Sequence, residues 1–431
     1  KPGTYTVTEK AIDKYEPQSS QSVTIVSGQT ATVNFSNTLK RGDLKVTKTS
    51  EDGLVEGVQF KLTGTSLSGE TIEQFAVTNA KGIATFSDVL ISGNVKYTLS
   101  EVNTAERYEV PASQSVAVEW NKVTEASVYN KLKRGDLKIT KTSEDGMVEG
   151  VKFRLTGTSL SGEKIDLTAT TNANGVAMFE DVLITGHSTY TVTEVDTKAY
   201  YITPAAQSVS IAWNEVTNKS FYNELKRGDL KVVKTSEDNM VEGIKFHLYG
   251  TSLSGHKVDE YAVTDKNGVA MFEDVLIGSR YTLEEVNTAE KYIVPKAQTV
   301  EIEWNKVVTK SFENILKRGD LKVVKTAEDK LVEGLKFHLY GTSLSGIKVD
   351  EYATTDKNGV ATFKNILIGS NFTIEEVNTP IRYVIPESQS AVIEWNKVTE
   401  KSFENILKKW RADVFKLDAE LANGNGSSGV P

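Results

Sequence analysis

Polar and apolar residues alternate in short runs along most of the chain. In the run Leu44-Lys45-Val46-Thr47-Lys48, for example, single polar residues separate the apolar ones. Side chains of a β-strand point alternately to its two faces, so this period of two predicts strands with one face in a core. We find no convincing helical period in the sequence. The pattern therefore predicts an all-β protein.

The pattern of alternation repeats at the scale of whole domains. The segment Arg-Gly-Asp-Leu-Lys begins at Arg41, Arg134, Arg227 and Arg318, at spacings of 93, 93 and 91 residues. Repeats of this length are domains in tandem, because solenoid units are shorter. We predict copy one at 42–134, copy two at 135–227, copy three at 228–318 and copy four at 319–407. Residues 1–41 would be the C-terminal fragment of a preceding repeat, and 408–431 the first strand and loop of a following, truncated one.

Copy two illustrates the strands predicted in every copy. Asn174-Gly175 and its counterparts stand between strand-like runs, where a residue that tolerates positive φ suits a tight hairpin. About seven short strands per copy predict an antiparallel, immunoglobulin-like β-sandwich. The short linkers between copies predict an elongated rod. The predicted strands of copy two are 137–141, 151–155, 167–171, 176–179, 190–194, 209–213 and 220–223.

Composition narrows the possible functions. With 39% hydrophobic residues among 431, the chain can form packed cores, and the absence of cysteine excludes disulfides and thiol catalysis. The net charge of −8 argues against a nucleic-acid partner. No apolar run is long enough to span a membrane, and the four histidines share no spacing that suits a metal. We expect no cofactor, no metal, no membrane insertion and no enzymatic turnover.

A lysine, a glutamate and an asparagine recur on the apolar face of three predicted strands in each copy. Lys48 shares its face with Leu44 and Val46, and the same parity turns Glu101 and Asn130 inward. A charged group in a core costs several kcal/mol unless it is paired or neutralised, so a fourfold recurrence indicates a function. The four sets are Lys48, Glu101 and Asn130; Lys141, Glu194 and Asn223; Lys234, Glu285 and Asn314; and Lys325, Glu376 and Asn405.

These three residue types can react with one another when they are buried together. Burial favours the neutral form of a lysine amine, which is a nucleophile, and the neutral form of a carboxyl. A protonated glutamate can polarise the asparagine carbonyl and relay the proton that the lysine releases. The expected products are a Lys-Asn isopeptide bond and ammonia, formed once per domain. The alternative is a buried Lys-Glu ion pair with an asparagine beside it.

Both ends of the chain contain part of the same set. Glu9 and Asn37 occupy the places of Glu101 and Asn130, and Lys416, in the predicted strand 414–418, occupies that of Lys48. No bond is expected at either end, because a complete domain surrounds neither. An alternative is a bond between Lys416 of one chain and Asn37 of another, for which strands from elsewhere would be required.

Four segments carry this pattern in copy one, at 42–48, 56–62, 97–101 and 128–130. As a set in this order they resemble the collagen-adhesin B-type (Cna B-type) domains of Gram-positive surface proteins and pilins. The resemblance implies a prealbumin-like sandwich whose first and last strands are joined by the isopeptide bond. It makes the four lysines nucleophiles, the four asparagines acceptors and the four glutamates the catalytic acids. Copy four departs from it only modestly, with Phe372 at the tyrosine position.

The sequence thus favours a structural stalk of a bacterial cell-surface adhesin. The chain shows neither a sortase sorting signal nor a pilin-type lysine motif, which favours a stalk over a pilus backbone. We expect a monomer at the cell surface or cell wall, with a host surface or matrix ligand bound by a domain outside this chain. The alternative is that the repeats themselves bind a matrix protein, a glycan or, through Arg-Gly-Asp, an integrin. The recurring tryptophans Trp120, Trp213, Trp304 and Trp395 are predicted to be packing residues in strands.

Overall fold

The computed structural model describes residues 1–415, and every regular element in that range is a β-strand. The chain divides into two compact units, Lys1–Leu225 and Lys226–Pro431. The strands of the first unit are β1 (Gly3–Val7), β2 (Gln21–Ile25), β3 (Arg41–Ser50), β4 (Gln59–Thr65), β5 (Thr71–Val77), β6 (Ile83–Leu90), β7 (Tyr97–Glu101), β8 (Gln114–Val116), β9 (Val123–Asn130), β10 (Arg134–Ser143), β11 (Lys152–Thr158), β12 (Lys164–Thr170), β13 (Val176–Leu183), β14 (Tyr190–Val195), β15 (Gln207–Val209) and β16 (Val216–Asn223). The strands of the second unit are β17 (Arg227–Ser236), β18 (Lys245–Thr251), β19 (Lys257–Val263), β20 (Val269–Leu276), β21 (Gly278–Val286), β22 (Gln298–Ile302), β23 (Val307–Asn314), β24 (Arg318–Ala327), β25 (Lys336–Thr342), β26 (Lys348–Thr354), β27 (Val360–Leu367), β28 (Gly369–Val377), β29 (Gln389–Ile393) and β30 (Val398–Asn405).

Each copy is a sandwich of a three-stranded and a four-stranded sheet. In copy one the sheets have the orders β6-β3-β9 and β5-β4-β7-β8, and copies two to four repeat both orders. The first and last strands, β3 and β9, are neighbours and run parallel, whereas the other pairs of this copy are antiparallel. The all-β sandwich predicted from the alternation is therefore confirmed.

The core lies between the two sheets and is formed mainly by the apolar side chains of their inward faces. Along β3, buried and part-exposed residues alternate from Gly42 to Lys48, as the sequence pattern predicts. Phe60 and Leu62 of β4 and Tyr97 of β7 meet this face from the opposite sheet. The Tyr97 hydroxyl donates to the Leu90 carbonyl at 2.8 Å, which satisfies its polar group inside the core.

The Asn-Gly turns have the predicted conformation but a different position in the fold. Gly175 adopts a φ of 72°, as expected of glycine at such a turn. The strands on either side, β12 and β13, belong to different sheets, so the predicted hairpin is wrong. The turn carries the chain from the four-stranded sheet to the three-stranded one. Both strands are amphipathic, so their local pattern does not reveal that they face each other across the core.

The linker between copies one and two packs against both copies. Tyr108 of copy one and Leu132 of the linker form a buried cluster with Leu183 of copy two. The Glu51 carboxylate accepts the amide of Leu132 at 3.0 Å and is paired with the Arg134 guanidinium. In the second unit, Glu237 makes the same contacts with Leu316 and Arg318, at 2.8 and 2.9 Å. Each of these linkers is held by hydrogen bonds and ion pairs as well as by apolar packing.

An aspartate in the loop after the first strand of each copy binds the tyrosine that supports the linker. Asp52 accepts hydrogen bonds from the Tyr108 hydroxyl at 2.5 Å and from Arg107 at 2.8 Å. Burial works to raise the pKa of Asp52, but the hydrogen bonds outweigh it and hold the pKa below its ordinary value. The pKa is lowered likewise for the counterparts Asp145, Asp238 and Asp329.

We expect this group of aspartates to make the stability of the protein depend on acid pH. A carboxyl whose pKa is lower in the folded state stabilises the fold above its ordinary pKa and loses that contribution as pH falls towards the folded value. The unfolding temperature should therefore drop as pH falls below about 4. In a variant with Asp52, Asp145, Asp238 and Asp329 all changed to Asn, the drop should be smaller. Calorimetry between neutral and acid pH measures the unfolding temperature of both proteins. An equal drop in the wild type and in the variant would show that these aspartates do not cause the dependence on pH.

Candidate functional site

The register of the first and last strands brings the lysine and the asparagine of each copy together. In copy one, Lys48 of β3 pairs with Val128 of β9, and Asn130 lies two residues further along β9 on the same face. Glu101 is the last residue of β7, in the facing sheet, where it pairs with Phe60. The three side chains thus approach one another inside the core, from two neighbouring strands and one strand opposite.

All twelve side chains of the four predicted sets are buried. The lysines are 1–2% exposed, the asparagines 0–1% and the glutamates 6–9%. An amine and a carboxyl with so little access to water must be satisfied by each other, by backbone groups or by loss of charge. The structure therefore brings together every residue that strand parity turned inward in the four complete copies.

The glutamate contacts both of its partners, with one oxygen facing each. In copy one, Asn130 Nδ2 donates to Glu101 Oε1 at 2.8 Å, and Lys48 Nζ lies 3.8 Å from Glu101 Oε2. The asparagine-to-glutamate distances in copies two, three and four are 2.8, 3.0 and 3.0 Å. The corresponding lysine-to-glutamate distances are 4.0, 3.6 and 3.0 Å.

The environment of the four lysines favours the neutral amine. Burial is the largest influence and lowers the pKa of Lys48, while the Glu101 carboxylate opposes the change in part. The pKa is lowered for the same reason at Lys141, Lys234 and Lys325. A lower pKa increases the fraction of lysine that carries a free electron pair at neutral pH, as a nucleophile requires.

The orientation of the asparagine amide differs from the expectation. We predicted a bond from the glutamate to the asparagine carbonyl, but the carboxyl contacts the amide nitrogen instead. The carbonyl oxygens of Asn130, Asn223 and Asn314 are buried without a hydrogen bond. In copy four, Lys325 Nζ donates to Asn405 Oδ1 at 2.6 Å. The geometry thus places the glutamate at the leaving nitrogen, and a polarising contact to the carbonyl comes only from Lys325.

The partial sets at the ends differ from the complete ones. Asn37 Nδ2 donates to Glu9 Oε1 at 2.8 Å, as in the full copies, but this pair is accessible to solvent. Val414 and Phe415 lie outside any strand and are exposed. Lys416 and the rest of the predicted strand 414–418 lie outside the described residues.

Each Arg-Gly-Asp segment has a structural role at the start of the first strand. A Cβ atom on Gly135 would lie 2.1 Å from the Ala212 carbonyl oxygen, so only glycine fits there. Asp136 accepts the backbone amide of Asp181 at 2.9 Å, and Arg134 pairs with Glu51. Integrins bind this tripeptide at exposed loop tips, so its position within a strand weighs against that alternative.

The recurring tryptophans are not strand residues, contrary to our prediction. Each lies in the turn before the last strand and is 40–50% exposed. The amine of a linker lysine lies over each ring, as Lys40 does over Trp120 at 5.1 Å from the ring centroid. The rings therefore pack against the linker at the entrance of each copy. Among residues 1–415, no group of three or more histidine or acidic side chains is placed to hold a metal ion.

Comparison with known proteins identifies the fold family. The model of the family described as "SpaA: Prealbumin-like fold domain" matches the chain four times, over residues 42–132, 135–225, 228–315 and 319–406. The chain belongs to this family. The resemblance to B-type domains of Gram-positive surface proteins is thereby confirmed, and the four copies are SpaA-type prealbumin-like domains in tandem.

Solved structures that are similar to this chain include a protein of Bacillus anthracis and two pilins. The TIE protein of Bacillus anthracis is similar over 81% of this chain and 69% of its own, with 20% identity and a TM-score of 0.52. The major pilin subunit BcpA of Bacillus cereus is similar over 64% of this chain and 99% of its own, with 16% identity and a TM-score of 0.35. For the shaft pilin SpaA of Lactobacillus rhamnosus GG the coverages are 43% and 98%, the identity 14% and the TM-score 0.20. A search of curated proteins finds no match.

In residues 1–415 we find no helical segment with the length and apolarity that a bilayer crossing requires.

A threonine that the sequence reasoning did not single out lies three residues after each inward glutamate, as Thr197 does after Glu194. Because this threonine recurs in all four copies, the repeat itself could have drawn attention to it. It follows the end of the alternating pattern, however, so parity assigns it no face.

Proposed function

We propose that each SpaA-type copy forms an isopeptide bond between its lysine and its asparagine. The observation that carries this proposal is the contact of one buried glutamate with both groups, repeated in four copies. The lysine Nζ attacks the asparagine Cγ, a new C–N bond forms, and the bond from Cγ to Nδ2 breaks. One ammonia leaves for each bond, and no external reagent is consumed.

The glutamate is suited to move the proton that this reaction must transfer. Its Oε2 faces the attacking amine, and its Oε1 already accepts a hydrogen bond from the leaving nitrogen. The carboxylate takes one proton from Nζ as the new C–N bond forms, and it returns one proton to Nδ2 as ammonia leaves, so the glutamate acts as base and acid in turn. The fold holds the reacting groups together, which replaces a bimolecular encounter with an intramolecular one.

The position of the bond supports a structural role. It would join the first strand of a copy to the last, which are the strands through which tension enters and leaves a domain in a tandem array. We propose that the chain is part of the stalk of a Gram-positive cell-surface protein, located outside the cell. A host ligand would be bound by a domain outside this chain. Membership of the SpaA family and the parallel pairing of β3 with β9 support this proposal.

Intact mass spectrometry tests the proposal directly. The purified full chain should weigh less than its sequence requires by the mass of four ammonia molecules. Proteolysis should then yield branched peptides that link Lys48 to Asn130 and the corresponding residues of the other copies. The unmodified mass in fully folded protein would refute the reaction. The buried ion pair would then be the correct interpretation.

A further inference from the structure

The threonine that follows each inward glutamate by three residues contacts the reactive group in copy two. Thr197 Oγ1 donates to Glu194 Oε1 at 3.0 Å. The same oxygen accepts a hydrogen bond from Asn223 Nδ2 at 2.8 Å. The threonine hydroxyl and the leaving nitrogen therefore share one carboxylate oxygen. The counterparts of Thr197 are Thr104, Thr288 and Thr379.

In the other three copies the threonine hydroxyl is buried and has no hydrogen bond in the described structure. A buried hydroxyl without a partner is destabilising, so its occurrence at one position in three copies calls for an explanation. The geometry of copy two provides one, because there the hydroxyl reaches the glutamate carboxyl. A hydroxyl is both a donor and an acceptor, so it can bind the ionised carboxylate and the protonated acid alike.

The proposed reaction needs this kind of support for the carboxyl group. The last torsion angle of a glutamate side chain has a broad distribution, so the side chain alone does not fix the plane of its two carboxyl oxygens. One oxygen must face the lysine while the other faces the asparagine. The carboxyl must keep this orientation from the attack of the amine until ammonia leaves, and a third group bound to it would hold it there.

We propose that Thr104, Thr197, Thr288 and Thr379 are positioning residues for isopeptide formation. In copy two the hydroxyl holds the carboxyl plane of Glu194 between the amine and the amide, and the proposal extends this contact to the other three copies, in both protonation states of the acid. This inference rests on the cross-linking reaction proposed above. In copy two, Glu194, Thr197 and Asn223 also line a cleft of about 190 Å³.

The rate of bond formation in the full chain tests this inference. The chain is made by cell-free synthesis, samples are quenched in acid at intervals, and each cross-link is followed through its branched peptide. With all four threonines changed to Val, the rate should fall by about tenfold to a hundredfold, the value of one hydrogen bond to a charged group. Serine at the same positions should restore the rate, because it restores the hydroxyl.

A matched control uses the threonine three residues before each glutamate, on the opposite face of the same strand. Thr98→Val, Thr191→Val, Thr282→Val and Thr373→Val should leave the rate unchanged. Valine at the test positions should preserve the fold, and circular dichroism checks that it does. A wild-type rate in the Val variant, or a slow rate that serine does not restore, would overturn the positioning role. If the wild-type chain forms no bond at all, the proposed reaction fails and this inference fails with it.

Discussion

A chain in which Glu101, Glu194, Glu285 and Glu376 are changed to alanine is expected to fold without forming its cross-links. The glutamate is the only acid or base that contacts both the amine and the leaving nitrogen in the described copies. Loss of such a general acid-base group typically slows a reaction by about a hundredfold to ten-thousandfold. Intact mass spectrometry of freshly purified protein should therefore give the unmodified mass, while circular dichroism shows β-structure.

The second acid of the same strand provides the control for this result. Glu284 and Glu375 precede the reactive glutamates by one residue and point to the outer face, where they lie 3.5 Å from His247 and His338. Glu284→Ala and Glu375→Ala should leave the mass loss of copies three and four intact. Complete ammonia loss in the chain that lacks the four inward glutamates would show that the fold alone drives the reaction.

Removing the cross-links is expected to lower the unfolding temperature of each copy by about 20 °C. The proposed bond from Lys48 to Asn130 would close a loop of about 80 residues, and by analogy with disulfides it would stabilise a domain by about 4 kcal/mol. The suitable variant combines Lys48→Met with Glu101→Gln, and likewise in the other copies. It blocks the bond and replaces the buried ion pair with neutral groups of similar size, which by itself costs little. Calorimetry of the full chain measures the shift.

Substitution in a single copy separates the effect of the bond from general damage. With Lys48→Met and Glu101→Gln in copy one alone, one transition should move to lower temperature and those of copies two to four should stay in place. An unfolding profile that matches the wild type would mean that the bond contributes nothing to stability. A uniform shift of every transition would point to a cause outside the cross-link.

The buried sets of lysine, glutamate and asparagine could be found from sequence because strand parity is a strict rule. Lys48, Glu101 and Asn130 each continue an alternation of buried residues, and a period of two leaves only one face for them. Because the same pattern occurs four times, the strands that carry the lysine, the glutamate and the asparagine could be assigned to one domain. The family resemblance then added that the first and last strands are joined, whereas the order of the strands in each sheet came from the structure.

Other features depended on information that local patterns do not contain. The sheet to which β12 or β13 belongs is decided by packing across the core, so the turn at Gly175 was mistaken for a hairpin. Trp213 continues the apolar alternation of β15, but the strand ends at Val209 and the ring lies in the next turn. The contact of Thr197 with Glu194 arises beyond the strand pattern, where the chain leaves the sheet. In the first two cases tertiary structure overrode the local pattern, and in the third there was no local pattern to use.

The parallel pairing of the first and last strands determines how a copy responds to pulling. Tension applied through its neighbours draws β3 and β9 in opposite directions along their length, so the ladder of hydrogen bonds between them is loaded in shear. Without a covalent link, rupture of that ladder would release about 80 residues, or roughly 270 Å of contour length. With the link in place that length stays stored, and a copy under load behaves as an inextensible segment.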